Sequence, residues 1–400
     1  MPTARSRFAV IFLTVLIDLI GFGIILPTLP YYAQRFGAAG LGFGWLVGAF
    51  SLMQFLATAV LGRLSDRVGR RPVLLATMLI NAAGYTLFAF AGSYAALFIS
   101  RVVSGFASGN ISAAQAYMAD ITTPAQRSRG MGLIGAAFGI GFIIGPFIGG
   151  IAGHYAGHAA PGLLAAGLSL INFVSAYRIL PESLTPERRG RAGSVGFGHL
   201  GVALARPAIR PLAAVWFLMP FAFAGYSVAL PLFAGGAFGW KERELGLLFA
   251  LIGVVAATVQ GYLFGRISRR TGDRALVILG LLGMAVGMAA VPFVGSSLQL
   301  YVWTIPLAFA NSIMVPAANG LVSKLAGAEE QGTILGAVQA FAALGRFAGP
   351  EALGVLYDEA GAVTTFLAAA AIMVVGALIA LRIARPSAEP ATLPVGAPVA

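Results

Sequence analysis

The chain has 400 residues, of which 58% are apolar and only 10% charged, with a mean hydropathy of +0.88. A soluble domain carries about 25% charged residues, so this sequence lacks the polar surface to cover a water-soluble globule and has to be read against a bilayer. It has no cysteine, which excludes disulfides and thiolate metal sites.

A membrane span needs roughly 20 apolar residues. Twelve such stretches follow one another, at about 8–31, 44–64, 72–92, 95–119, 128–153, 161–181, 208–234, 244–266, 274–295, 298–323, 331–357 and 361–383. The first is too long for a signal peptide, contains Asp18 and lacks a small-residue cleavage site, so it reads as a retained span. Between the second and third lies GRLSDRVGRR, Gly62 to Arg71, with five charges between two nearly charge-free runs. Such a segment cannot sit in hydrocarbon and must be a tight connection at a membrane face. Gly92-Ser93 and Gly295-Ser296-Ser297 divide apolar stretches at matching points of the chain. The longest hydrophilic stretch, 182–206, carries six charges and reads as a linker. The tail at 386–400, rich in Pro and Ala, has no periodicity and is expected to be disordered.

The sequence repeats itself. GRISRRTGDR at Gly265 to Arg274 is a worn copy of GRLSDRVGRR, displaced by 203 residues. Gly21 and Pro27 return as Gly225 and Pro231, and Gly141, Gly145, Pro146 and Gly150 as Gly345, Gly349, Pro350 and Gly354, all 204 apart. The expected fold is therefore an all-α membrane protein of twelve transmembrane helices in two pseudo-symmetric six-helix bundles, 1–181 and 207–385. A pseudo-two-fold along the membrane normal would relate them, with a site near midplane. Of the 26 Lys and Arg residues, twenty-one fall at the N-terminus, the 63–71, 127–129, 178–210 and 266–274 segments, Lys324 and the C-terminal flank. That asymmetry places both termini and the linker in the cytoplasm. It also assigns the net charge of +12 to a membrane surface and not to nucleic acid.

The charged loop has a physical logic. Gly62 would let a neighbouring helix approach, and Gly69 would permit the turn into the next span. Asp66 is expected to bond helix N-terminal amides, where an anion is favoured. Arg67, Arg70 and Arg71 would pin carboxylates or helix ends, so the loop could hold two bundles together in one conformation. The second copy has Arg269 in place of Asp66. In the fifth span, Gly141, Gly145, Gly149 and Gly150 make a groove for close helix packing, and Pro146 removes a backbone hydrogen bond.

GRLSDRVGRRP followed by GxxxGPxxGG resembles the two signatures of the major facilitator superfamily, the second being the mark of its proton-coupled drug antiporters. IDLIGFGIILPTLP, the SLMQ at Ser51 to Gln54, Arg101-Val-Val-Ser-Gly105 and GAAFGIGFIIGPFIGG are similar to the twelve-span tetracycline efflux proteins. The resemblance implies a proton-coupled antiporter in a bacterial inner membrane that works without cofactor or metal, with proton, substrate and lipid as its partners and as a monomer.

 It departs from those pumps where they carry an acid in the third span, a histidine in the eighth and an acid in the ninth: this chain has Gly84, Ala256 and Met284.

Ionisable residues inside spans are costly and usually functional. Asp18 lies in the first span with Thr14 and Gly21 on its face. Arg101, Ser104, Ser108, Ser112 and Gln115 form a polar stripe along the fourth by helical spacing. A carboxylate beside Arg101 that opened to water on one side would change its protonation, as proton coupling requires. Arg346 and Glu351 flank the Gly349-Pro350 step but are five residues apart, so a regular helix would not place them face to face; Gln339 shares the face of Arg346. Asp18, Arg101 and Glu351 are the expected coupling groups. Gln54, Asn81, Tyr85, Ser108, Asn110, Tyr226, Gln260, Asn311, Gln339 and Arg346 are the expected substrate groups. Asp120 is expected to anchor a loop, and His154 and His158 to be solvated loop residues without a third metal ligand. No nucleophile–base constellation points to an enzyme. The function this implies is export of amphipathic drug-like molecules, the alternative being a proton-coupled carrier of a metabolite such as a sugar, amino acid or organic acid.

Magnesium chelates of tetracycline call for hard oxygen ligands, and Gly84, Ala256 and Met284 supply none. Tetracycline is therefore expected not to be a strongly preferred, metal-dependent substrate, and a neutral or weakly cationic amphiphile is expected to do better. Resistance profiles in a drug-sensitive host check this, and magnesium-dependent resistance restricted to tetracyclines would contradict it.

Overall fold

The computed structural model describes residues 4–122, 127–184, 206–326 and 331–384, and these are helical with no strand. Most of the 182–206 linker and the whole 386–400 tail lie outside the described residues. The first half runs α1 (Ala4–Ile25), a short α2 (Leu29–Gln34), α3 (Gly40–Val68), α4 (Arg70–Ala89), α5 (Tyr94–Ala107), α6 (Ile111–Ile121), α7 (Arg127–Ala156) and α8 (Ala159–Ile179). The second half runs α9 (Arg210–Phe238), α10 (Glu242–Thr258), α11 (Phe264–Thr271), α12 (Asp273–Ala290), α13 (Ser297–Leu325) and α14 (Gln331–Ala380).

These elements make twelve crossings. A 3-10 turn, Ser108–Asn110, joins α5 to α6 within the fourth span, and a π turn, Val259–Leu263, joins α10 to α11 within the eighth. The apolar stretch Ile334–Ala380 has 47 residues, about 70 Å at 1.5 Å per residue. That is twice the ~30 Å of a hydrocarbon core. It divides at Gly361, whose φ of 78° breaks the helix into spans eleven and twelve. An even number of crossings returns the chain to the side where it began, hereafter the terminal face. Large apolar side chains such as Ile171, Val286 and Leu378 stand exposed on the outer helix surfaces, where lipid and not water is the matching solvent.

The duplication is visible in the turns. The six glycines with positive φ among the described residues fall into three pairs, Gly37 and Gly239, Gly69 and Gly272, Gly157 and Gly361. Each pair is 202 to 204 residues apart, and each ends one helix and starts another in a conformation that a Cβ would strain. Ser93 and Ser296 both cap the following helix, accepting from the N–H of Ala96 and Gln299. An N-cap serine satisfies an otherwise unpaired amide.

Within the halves α1 packs on α7 and α4 on α8, and in the second half α9 packs on α14 and α12 on α13. Between the halves α3 packs on α14 and α7 on α10, contacts that the pseudo-two-fold exchanges. The signature in α7 serves both levels. A Cβ at Gly145 would lie 2.8 Å from the Gly23 Cα of α1, and one at Gly141 would lie 2.7 Å from Leu19 Cβ. Gly149 rests on the carbonyl of Ile24, whereas Gly150 faces the other half, where a Cβ would come within 2.8 Å of the Gly246 Cα of α10. The doubled glycine is thus needed because one helix turns one face to its own bundle and the next face to its partner. The helix continues through Pro146. In α14, Gly345 and Gly349 rest on the carbonyls of Phe217 and Phe221 in α9 in the same way.

A side chain at Gly145 must push α1 away from α7. Gly145→Val is expected to lose about 1–3 kcal/mol, the usual cost of overpacking, read as a lower unfolding midpoint of the purified protein in detergent by scanning fluorimetry. An unchanged midpoint would show that the α1–α7 contact is not this tight.

Candidate functional site

Between the halves lies a cavity of about 1000 Å³, walled by α1, α3, the fourth span and α7 on one side and by α13 and α14 on the other. Its lining runs toward the terminal face through Gln115, Ser323 and Leu335. At the opposite face the two seams close it, with Gly40, Gly44 and Gly48 of α3 pressed on Gly354, Pro350 and Glu351 of α14. Phe22, 4.9 Å from the Phe50 ring and 5.8 Å from the Phe142 ring by centroids, forms an apolar wall.

Three ionisable side chains line the cavity: Asp18, Arg101 and Arg346. Asp18 accepts from Asn110 Nδ2 at 2.9 Å on one carboxylate oxygen and from Asn172 Nδ2 at 3.3 Å on the other. The amides are held in turn, Asn110 donating to Thr77 Oγ1 at 3.1 Å and Asn172 to the Thr14 carbonyl at 3.0 Å. The 3-10 turn makes this possible. Gly109 lies so close to α3 that a Cβ there would sit 2.7 Å from Ala57 backbone, and the turn carries Asn110 inward to α1.

Asp18 and Arg101 were expected as neighbours, and among the described residues no ion pair joins them. Arg101 instead lies 4.4 Å over the Phe50 ring, with Nε 3.5 Å from the Leu46 carbonyl. A guanidinium over an aromatic face gains cation–π attraction that strengthens on desolvation. Ser104 also leaves the expected stripe: it is buried beneath Gly84, while Arg101, Ser108, Ser112 and Gln115 reach the cavity. Arg346 has no hydrogen bond or ion pair among the described residues.

Of the expected substrate groups, Gln54, Ser108, Asn110, Gln339 and Arg346 line the cavity, with Gln339 and Arg346 on one face of α14 as their spacing requires. Asn81, Tyr85, Tyr226, Gln260 and Asn311 do not. Asn81 and Tyr85 are buried in the first bundle, Tyr226 packs between Phe223 and Phe366, and Gln260 lies exposed on the π turn. Glu351 is also outside the lining: both carboxyl oxygens are buried against Gly48 in the α3–α14 seam without a hydrogen bond. Gly84, Ala256 and Met284 contribute nothing to the wall.

The loop at Gly62–Arg71 differs from its expected role in one respect. The helix-terminus amides that Asp66 was to bond are the N–H groups of Arg70 and Arg71 at the start of α4, and Glu182 takes them, at 3.0 and 3.2 Å. Asp66 pairs with Arg70, four residues on, as helical spacing favours. Arg70 also reaches Ser65 Oγ at 2.7 Å and Asp120 Oδ2 at 3.3 Å. Asp120 accepts from Ser183 Oγ at 3.0 Å and so anchors the start of the linker. Arg71 bonds the Tyr177 carbonyl at 2.7 Å, and Arg67 is exposed. Gly69 makes the turn with φ 114°, whereas Gly62 only meets Ser112 at van der Waals distance. All these partners belong to the first bundle or to the start of the linker that follows it.

Several groups went unnoticed in the sequence. Asn172 is a lone amide in the apolar sixth span, a signal in itself. Gly40, Gly44 and Gly48 recur every four residues. His158, expected to be solvated, sits with Nδ1 2.9 Å from Glu242 Oε1 of the other half.

The Major Facilitator Superfamily matches residues 11–350 and, again, 237–399. The chain belongs to that superfamily. Major facilitator superfamily domain-containing protein 10 of Mus musculus is 31% identical, over 96% of this chain and 95% of that protein. Multidrug resistance protein 2 of Bacillus subtilis is 28% identical over 93% and 94%, and the class C tetracycline resistance protein of Escherichia coli is 31% identical over 88% and 90%. The crystal structure of the human organic anion transporter MFSD10 (TETRAN) aligns with a TM-score of 0.71 at 28% identity, covering 95% of this chain and 100% of that one. The superfamily consists of transporters, which agrees with a cavity between two related bundles and not with an enzyme.

Asn172→Ala removes one of the two donors to Asp18. A hydrogen bond to a charged group contributes about 1.5–3 kcal/mol, so transport is expected to fall about tenfold, by the 1.4 kcal/mol per decade rule, at unchanged expression. Initial rates in everted vesicles check this, and a rate within about twofold of the parent would mean that Asn110 alone positions the carboxylate.

Proposed function

We propose that the chain is a proton-coupled transporter of a bacterial inner membrane that exports amphipathic small molecules by alternating access. The observation that carries this reading is Asp18, a carboxylate inside a span, held by two amides on the wall of a large, mostly apolar cavity. Buried ionisable groups are retained in membranes chiefly for function. The Lys and Arg distribution supports a cytoplasmic terminal face, so the cavity would load from the cytoplasm in the conformation described. Protonation of Asp18 from the outside and its release inside would drive the cycle. The Gly62–Arg71 loop, with Asp66, Arg67, Arg70 and Arg71, would meet the second bundle when the inner side closes. The multidrug and tetracycline resistance relatives support export of drug-like compounds.

A second reading has its own support. The cavity wall holds two arginines against one carboxylate, and Arg346 has no protein partner among the described residues. A substrate carrying a carboxylate or similar anion would complete that site, as the organic anion transporter among the similar structures illustrates for its own case. This favours an organic acid over the neutral or cationic compound suggested by the sequence.

Everted vesicles separate these readings. Neutral, monocationic and carboxylate-bearing amphiphiles are added to an established pH gradient, and its dissipation is followed. Response to amphiphiles in general supports drug export. Response to acids alone, abolished in Arg346→Gln, supports the organic-acid carrier. Asp18→Asn is expected to abolish uphill transport while sparing substrate exchange at equal pH, because an amide cannot titrate. It also offers Asn110 and Asn172 one acceptor oxygen where the carboxylate offers two, so the exchange assay is the check on folding. Uphill transport at the parent rate would remove Asp18 from the coupling mechanism.

A further inference from the structure

The seams at the face opposite the termini end in two polar contacts between the halves. At one, the α3 helix begins at Gly40 behind Ala39, which has no side chain able to cap it. Asp358 of α14 supplies the cap across the interface, accepting from the N–H of Gly40 at 2.9 Å and of Leu41 at 2.8 Å. A carboxylate at a helix N-terminus is favoured by the backbone dipole as well as by hydrogen bonds. At the other seam, His158, just beyond the end of α7, faces Glu242 at the start of α10. The pseudo-two-fold exchanges the two places, since α3 corresponds to α10 and α7 to the first part of α14. The chemistry is not the same: one contact is carboxylate on backbone, the other imidazole on carboxylate.

The surroundings of His158 make it a defined site and not a loose surface pair. Its ring stacks on Tyr32 of α2, with centroids 5.4 Å apart and planes at 13°. Tyr32 is fixed by its hydroxyl on the Ala91 carbonyl at 2.6 Å, and Arg35 approaches its ring at 5.9 Å. Glu242 is buried, 5% exposed. The ring nitrogen, though 2.9 Å from the carboxylate, is off the line of a hydrogen bond to it. The attraction therefore depends on charge more than on direction, and charge on imidazole depends on pH in the physiological range. The other titratable or charged groups packed around the pair are His154 of α7, Tyr31 of α2, Lys241 and Glu244 at the start of α10, and Tyr301 of α13. Glu244 is already engaged by the Lys241 N–H at 3.0 Å.

We infer that His158 and Glu242 form a protonation-dependent latch that holds the cavity shut at the face opposite the termini, with Asp358 on α3 as its pH-independent counterpart. The inference rests on the alternating-access reading above. Acid at that face charges His158, draws Glu242 to it and favours closure; as pH rises the charge is lost and the seam parts more readily. On the proposed orientation that face is external, so protons arriving from outside would close the gate behind them. That is the order an importer of protons requires.

The test uses the full chain, whose lack of cysteine allows a clean double label. Tyr155→Cys and Leu298→Cys place spin labels on exposed positions, 71% and 72% accessible, one on each half. Distances are measured between about pH 5.5 and about pH 8.5, a range over which the charge of histidine side chains generally changes. The ratio of open to closed populations at this face is expected to rise about threefold across that range, the scale of a partly exposed ion pair. His158→Gln and Glu242→Gln should each remove that change, and His158→Arg, permanently charged, should hold the closed form at alkaline pH. Asp358→Asn should raise the open population at every pH and keep the pH response. His154→Gln should leave the response intact. An unaltered pH response in His158→Gln, or its loss in His154→Gln instead, overturns the latch while leaving alternating access standing. A single distance at every pH, with and without transported substrate, overturns both.

Discussion

The two seams between the halves are built of backbone against backbone, and the rest of the molecule depends on that. Gly40 and Gly44 on α14, and Gly150 and Gly246 at the α7–α10 crossing, meet backbone directly, while Gly48 and Gly253 make room for the side chains of Glu351 and Ile143. In hydrocarbon there is no hydrophobic gain from helix association, so close van der Waals contact is what holds such helices. Contact of that kind is strong when the helices touch and is lost over a small displacement. A seam in which most contacts are of this kind has few side chains to withdraw when it opens. The interiors of the halves are different. There large side chains such as Tyr85, Phe88 and Phe366 are fully buried.

Polar groups concentrate where the seams and bundles need a decision. Hydrocarbon leaves no polar group satisfied by water, so each buried one has to find a partner in the protein or in a ligand. Asp18 finds two amides, Arg101 an aromatic ring, Arg70 two carboxylates and a hydroxyl. Glu351 and Arg346 find none among the described residues, one in the seam and the other in the cavity. Those two positions are on the same helix, five residues apart, and they face different surroundings because at 3.6 residues per turn such a pair points about 140° apart. The seam and the cavity thus share α14 as a wall, and moving that helix alters both.

The fold was legible in the sequence because its rules are local. Span length, loop charge and the 203–204 residue displacement depend on stretches that read in order, and even the turn at Gly69 announced itself. The signature in α7 was legible as close packing, though not the division of labour between Gly149 and Gly150. The site was legible in part. Asp18, Arg101, Gln339 and Arg346 could be placed on one face each by helical spacing and do reach the cavity. Partners could not be placed. Asn172 meets Asp18 across 154 residues, and Asp358 meets Gly40 across 318; nothing in a single sequence ranks one distant donor above another. Spacing also failed at the fourth span, where Ser104 is taken up by the close approach of Gly84 and not by the cavity.

The divergence of the two copies shows where chemistry was added to a symmetric frame. The 204-residue displacement sets Asp18 against Ala222, and Arg346 against Phe142. Phe142 and Arg346 both line the cavity, from opposite halves, so the same place in the fold offers an aromatic wall on one side and a cation on the other. The displaced charges follow the same rule at the far end, where Asp358 on α3 answers to an imidazole on Glu242. A cavity with two-fold charge would hold its ligand the same way in both halves and would give a proton no preferred side. The cavity carboxylate is confined to the first half and Arg346, without a protein partner among the described residues, to the second, so on the proposed reading proton and ligand would act on different halves without competing for one side chain.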